Sequence, residues 1–242
     1  MAMKILIVND DGIDAAGIHY LVEWAAGHGE VTVCAPKHEQ SGKSHAINFI
    51  EPFEIKKIDF QGASEAYSVD STPADCTRFG ILGLNRQYDL VISGINYGIN
   101  MSGDIVYSGT VGAIFEAEHL GHCALAISIA KDTAMPKLKV LDSILTYINQ
   151  NHLFEYSMLY NINIPKDPCG IRITRQGDAY FKDEFIKLDG DMYLQRGHSV
   201  PETNPKDLTL DTVAFYSGYI SITPMTLSRT NSEAFENLSQ AN

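Results

Sequence analysis

Two unbroken apolar runs open the chain. "MKILIVN" (residues 3–9) and "EVTVCAP" (30–36) have the character of strands buried on both faces. Between them Ile18, Leu21, Val22 and Ala25 recur at helical spacing, and Gly27 and Gly29 supply stop signals. The alternation continues. "YDLVISGIN" predicts a strand, "TVGAIFEAEHLG" a helix, "CALAISIA" a strand, "KLKVLDSILTYINQN" a helix and "LYNINIP" a strand. Strands alternating with helices predict right-handed βαβ units, hence an α/β protein with a mostly parallel sheet and helices on both faces.

Two stretches interrupt this rhythm. Residues 46–70 ("AINFI", "PFEIKKIDF", "AYSVD") predict a β-meander inserted before the helix "PADCTRFGILGL". From about residue 170, "GIRITRQG", "EFIKLDG", "DMYLQRG" and "AFYSGYISITPM" are strand-like with turn residues between them, predicting an antiparallel extension or pairing arm. Residues 201–211 read as a loop, and the chain from Asn231 as a polar tail or short helix. The division expected is one domain over residues 1–242, its core at about 3–165 and its β-rich extension at about 170–242.

Composition narrows the class. The 242 residues are 45% hydrophobic and carry a formal net charge of -12, from 30 acidic and 18 basic residues. So acidic a chain lacks the basic face of a nucleic-acid polymer binder, while small phosphorylated ligands stay open to it. No stretch approaches the apolar length of a membrane span, and no N-terminal signal is visible. Cys34, Cys76, Cys123 and Cys169 form no CxxC, and they read as reduced core residues of a cytoplasmic protein.

Ligands of open α/β sheets bind at the carboxyl ends of strands. Three strand tips here carry unusual polar sequence: Asn9-Asp10-Asp11-Gly12, "APKHEQSGKS" and "SGINYGINMSGDIVYSGT". Asp10 and Asp11 repel one another, so either one protonates or a hard divalent cation sits between them; the same residues also make ordinary turn and helix-cap chemistry. Asn96 and Asn100 offer neutral carbonyl ligands or amide donors, or belong to a plain Gly/Asn loop. Ser108, Gly109 and Thr110 precede a helix, as an N-cap and as a phosphate site. "EQSGKS" is not a P-loop, because position 37 is lysine where glycine is required, but Ser41 stands as an oxygen ligand. His45, His119 and His122 lie near these segments without metal-ligand spacing and read as structural, as does Trp24 in its helix.

"ILIVNDDGIDAAGI", "CAPKHEQSGKSHAI", "STPADCTRFG", "DLVISGINYGINMSGDIVYSGTVGAIFEAEHLG" and "YISITPM" together resemble SurE, the stationary-phase survival family, in order from residue 3 to about 226. That resemblance implies a Rossmann-like fold, a metal-dependent 5′/3′-nucleotidase acting on nucleoside monophosphates, and a homodimer or tetramer assembled through a C-terminal arm. It implies one divalent cation, Mg²⁺ or Mn²⁺, held by Asp10, Asp11, Ser41 and Asn96. It places phosphate contacts on Asn9, Asn100, Ser108, Gly109 and Thr110, with Asp10, Asn100 and Ser108 in catalytic roles. The family's usual Asp-Arg-Asn before the serine is replaced by Lys37-His38-Glu39. Two other readings use the same residues: a phosphatase with an aspartyl-phosphate intermediate, which wants its acids two residues apart, and a non-catalytic nucleotide or metal sensor.

Overall fold

The computed structural model describes residues 2–131, 133–177, 181–200 and 206–240. Its centre is a nine-stranded sheet, and its five central strands are the apolar runs of the sequence. β1 (Met3–Val8) pairs in parallel with β2 (Gly29–Pro36) on one side and with β5 (Leu90–Tyr97) on the other. β6 (Ala124–Ile129) and β7 (Leu159–Ile164) continue the parallel order. Each of these strands is buried along nearly its whole length, which is why none shows an alternating polar face.

Helices cover both faces. α1 (Ala16–Ala26) and α4 (Leu138–Gln150) bury Ile18, Leu21, Val22, Leu141, Ile144 and Ile148 against one side. On the other side α2 (Pro73–Arg78) and α3 (Gly109–His119) close a second core around Cys76, Val111, Ile114 and Leu6. Trp24 packs within α1, as expected, and its Nε1 donates to Asp142 Oδ1 at 2.8 Å.

The interrupting stretches resolve differently from their pattern. Within 46–70 only β3 (Ile55–Ile58) and β4 (Glu65–Val69) form, antiparallel to each other, with β4 parallel to β2. "AINFI" is loop, and its Phe49 and Ile50 are exposed, so it lacks the neighbour a strand requires. The predicted helix "PADCTRFGILGL" ends at Arg78 and continues as a π-helical turn over Phe79–Gly83.

Beyond residue 165 the extension is not wholly antiparallel. β8 (Gly170–Ile173) and β11 (Tyr219–Met225) join the main sheet, β11 antiparallel to β7 and β8 parallel to β11. β9 (Phe181–Lys187) and β10 (Tyr193–Ser199) form a separate antiparallel hairpin. "AFYSGYISITPM" splits: residues up to Tyr216 belong to a short helix, α5 (Asp211–Tyr216), because Asp211 anchors its first turn and Val213, Ala214 and Phe215 are buried. Of the loop expected over 201–211, residues 201–205 lie outside the described residues. The tail forms α6 (Ser232–Ser239), capped by Asn231, whose Oδ1 accepts from Ala234 N. Cys34 and Cys76 are buried and burial pushes both thiols up, but Cys169 is exposed at the edge strand rather than in the core.

Candidate metal and phosphate site

The carboxyl ends of β1, β2 and β5 are neighbours because the three strands are parallel and adjacent. The turn after β1 is shaped by Asn9, whose Nδ2 donates to Gly12 O while its Oδ1 accepts from Gly12 N. Asn9 is fully buried, and one N–H of its amide is not used in that turn. The turn delivers Asp10 inward, 5% exposed, and Asp11 to a half-buried position beside the end of β5.

Asp10 abuts the start of α3. Thr110 Oγ1 donates to Asp10 Oδ1 at 2.6 Å, and a Cβ at Gly109 would stand 2.9 Å from the Asp10 Cβ. Glycine at 109 is therefore what lets the helix N-terminus meet the carboxylate. Burial raises the Asp10 carboxyl to about 6; the Thr110 hydroxyl and amide oppose that rise, and the neighbouring Asp11 charge adds to it. Asp11 is raised as well, by burial first, with Tyr97 N–H and Lys131 opposing and Glu39 adding to the rise. Its Oδ2 accepts from Tyr97 N at 3.3 Å, next to Asn96.

Ser108 is the N-cap of α3, its Oγ accepting from Val111 N at 3.1 Å. The hydroxyl hydrogen is not consumed by that bond. Asn100 Nδ2 donates to Thr110 Oγ1 at 3.3 Å and to Ser128 Oγ at 2.9 Å. Asn100, Thr110 and Asp10 thus form one hydrogen-bonded chain. Asn96 donates from Nδ2 to Gly98 O at 2.6 Å, which leaves Oδ1 as its available ligand atom.

Ser41 reaches the site through its neighbour. Gln40 N donates to Asp10 O at 2.7 Å, and Ser44 N to Tyr107 O at 3.0 Å, so the loop after β2 lies across the tip of β1 and against the loop before α3. A Cβ at Gly112 would come within 2.1 Å of Ser44 O, so this contact also depends on glycine. His45 Nε2 and Arg78 Nη1 pin the same loop and α2 to the buried Glu116 at 2.7 and 2.6 Å. The Ser41 hydroxyl is turned toward Glu39, donating to Oε1 at 2.7 Å.

Sequence reading passed over Glu39, Glu116 and the asparagines of β7. Only the closeness of Glu39 to Ser41 along the chain could have flagged the first.

The donors suit a hard cation. Asp10 and Asp11 carboxylates, the Asn96 carbonyl and the Ser41 hydroxyl are all oxygen. Among the described residues neither aspartate forms an ion pair with a basic side chain, so their repulsion is left for a cation to relieve. The described residues hold no cluster of three or more His, Cys, Asp or Glu suited to a metal, so a cation here would have to draw on hydroxyl and amide oxygens as well.

Fold and site together define an α/β protein with a carboxylate-centred, oxygen-lined site at the carboxyl edge of a parallel sheet. A family model described as Survival protein SurE matches residues 5–183, and this chain belongs to the SurE family. A Clostridium beijerinckii protein named 5′-nucleotidase SurE is 37% identical, the match covering 92% of each chain. One of the same name from Legionella pneumophila is 34% identical over 98% of this chain and 96% of its own. The crystal structure of the SurE protein from Aquifex aeolicus shares the fold with a TM-score of 0.83 at 33% identity, covering 98% of this chain and 99% of that one.

Proposed function

We infer that this chain is a metal-dependent nucleotidase that hydrolyses nucleoside monophosphates to nucleoside and phosphate. The observation that carries the reading is the pair Asp10 and Asp11, which among the described residues form no ion pair, set against the N-terminus of α3. Relatives named 5′-nucleotidase at 34–37% identity support it. Action on 3′-monophosphates as well as 5′ is part of the proposal.

Asp10, Asp11, Ser41 and Asn96 would hold one divalent cation, Mg²⁺ or Mn²⁺. Such a cation, when bound, offsets phosphoryl charge and acidifies water. Asp10 accepts the proton of the attacking water. The Ser108 hydroxyl and the Gly109 and Thr110 segment hold the phosphoryl oxygens at the start of α3, where peptide dipoles favour an anion, and Asn100 steadies that segment by donating to Thr110 Oγ1. Asn9 acts through the turn that aims Asp10. The nucleoside oxygen leaves on the opposite side of phosphorus from the attacking water and takes a proton from solvent, so that nucleoside and phosphate are the products.

The continuity of the sheet through β11 and β8 supports one domain over residues 1–242. Exposed Phe185, Met192 and Tyr193 on the β9–β10 hairpin support its use as the arm of a homodimer or tetramer. Four free cysteines accord with a cytoplasmic setting, and among the described residues no helix is long and apolar enough to cross a membrane. The deciding experiment supplies 5′-AMP and 3′-AMP with Mn²⁺ and measures free phosphate. Release by the wild type and its loss in Asp10→Asn are expected. Tight nucleotide binding without release would instead establish a sensor.

A further inference from the structure

The loop after β5 carries Asn100, whose main-chain groups are held by β7 rather than by β5. It passes over β6 to reach β7, two strands away, which is about 10 Å at ordinary strand spacing. What receives it there is a pair of side chains. Asn161 and Asn163 are two apart on β7, so they share the face opposite Tyr160, Ile162 and Ile164. Both are fully buried, between strands that pair them with Ala126 and Ser128 on one side and with Thr223 and Ser221 on the other.

Burying two carboxamides is costly unless they find partners. Asn163 finds them in a single residue: its Oδ1 accepts from Asn100 N at 2.9 Å and its Nδ2 donates to Asn100 O at 2.8 Å. It therefore does for Asn100 what a neighbouring strand would do, satisfying both main-chain groups at once. Asn161 Nδ2 adds a second bond to Asn100 O at 2.7 Å. With N–H and C=O both fixed, the Asn100 side chain leaves the loop in one direction, toward Ser128 Oγ and Thr110 Oγ1. Thr110 in turn donates to Asp10. Three successive links thus join β7 to the carboxylate: β7 to Asn100, Asn100 to Thr110 and Thr110 to Asp10. An apolar residue at 163 would leave the Asn100 N–H without this partner, so the asparagine is what keeps the loop in this place.

We propose that Asn163, assisted by Asn161, is a positioning residue for phosphate hydrolysis: it clamps the Asn100 main chain so that the Asn100 carboxamide meets Thr110 from one fixed direction and, through the Thr110 hydroxyl, holds Asp10 in place for the reaction. This deepens the nucleotidase reading and rests on it. The clamp touches none of the proposed cation ligands, so its loss should separate turnover from cation binding.

The test compares Asn163→Leu, which keeps the volume but makes neither bond, with Asn161→Leu and with Ser128→Ala, which removes only the side-chain anchor of Asn100. Turnover of 5′-AMP and KM are measured with Mn²⁺, and Mn²⁺ affinity is measured separately by titration. Misplacing a reacting group by about 1 Å can cost a hundredfold, so Asn163→Leu should lose about tenfold to a hundredfold in kcat and Ser128→Ala less. Mn²⁺ affinity should stay within about twofold of wild type, because its ligands are intact. A kcat within about threefold of wild type in Asn163→Leu overturns the proposal, and so does a fall in Mn²⁺ affinity as large as the fall in kcat. Should Asn163→Leu fail to fold, Asn161→Leu and Ser128→Ala are judged by the same two outcomes. A wild type that releases no phosphate overturns the parent reading instead, which keeps the two failures apart.

Discussion

Thr110 Oγ1 lies 2.6 Å from Asp10 Oδ1 and donates to it, while accepting from Asn100 Nδ2 at 3.3 Å. One hydroxyl thereby orients a carboxylate on β1's tip and a carboxamide from the loop after β5. Thr110→Val removes the hydroxyl at constant shape. A hydrogen bond to a charged group contributes about 1.5–3 kcal/mol, so turnover should fall about tenfold to a hundredfold. Initial rates of phosphate release from 5′-AMP check this, and an unchanged rate would remove Thr110 from the site.

Asp10→Asn should abolish phosphate release without destabilising the cation-free protein. A carboxyl that titrates near 6 when folded and near 3.8 when unfolded binds its proton more tightly in the fold. The folded state therefore carries a penalty on the order of 3 kcal/mol above pH 6, absent below the unfolded value. Amidation removes that penalty. Thermal unfolding at pH 8 with chelator should show the variant at or above the wild-type midpoint.

Glu39 should tune cation affinity without acting as the principal ligand. Its Oε1 accepts the Ser41 hydroxyl at 2.7 Å, which leaves the serine oxygen's lone pairs for a cation, and its charge raises Asp11. Both side chains are exposed, so the effect is modest. Glu39→Gln should weaken Mn²⁺ binding by about twofold to tenfold, read by titration of the metal alone.

Acid should loosen the loop that bears Ser41. Burial pushes the Glu116 carboxyl up, but hydrogen bonds from His45 and Arg78 outweigh it and hold the group below the usual range. A depressed carboxyl stabilises the fold above its unfolded value, and that stabilisation is lost as pH falls through the lower folded value. Glu116→Gln should lower the melting midpoint by several degrees at neutral pH and flatten the acid limb of the midpoint–pH curve. Melting curves from pH 3 to pH 8 decide it.

Much of the frame is legible because buried parallel strands announce themselves as unbroken apolar runs. β1, β2, β5, β6 and β7 all fall where those runs stand, and Ile18, Leu21, Val22 and Ala25 are fully buried as their spacing predicts. The adjacent aspartates were legible too, because two neighbouring acids at a strand end need a reason. What stayed hidden depends on distant neighbours. Asn161 and Asn163 alternate with apolar residues in "LYNINIP", a pattern that usually means a face open to water, whereas a loop from two strands away covers this one. α5 was concealed because Thr212, Val213, Phe215 and Tyr216 favour strands locally, and only tertiary packing makes them helical. Cys169 reads as core by type and sits at an edge by topology.

Gly109 and Gly112 bring one helix into contact with Asp10 and with the carbonyl of Ser44. Neither position has room for even a methyl group, so this wall of the site is closed to evolutionary tinkering. Divergence is left to exposed loop side chains such as Phe49, Ile50 and Tyr107, which face solvent and can be exchanged without disturbing the machinery beneath.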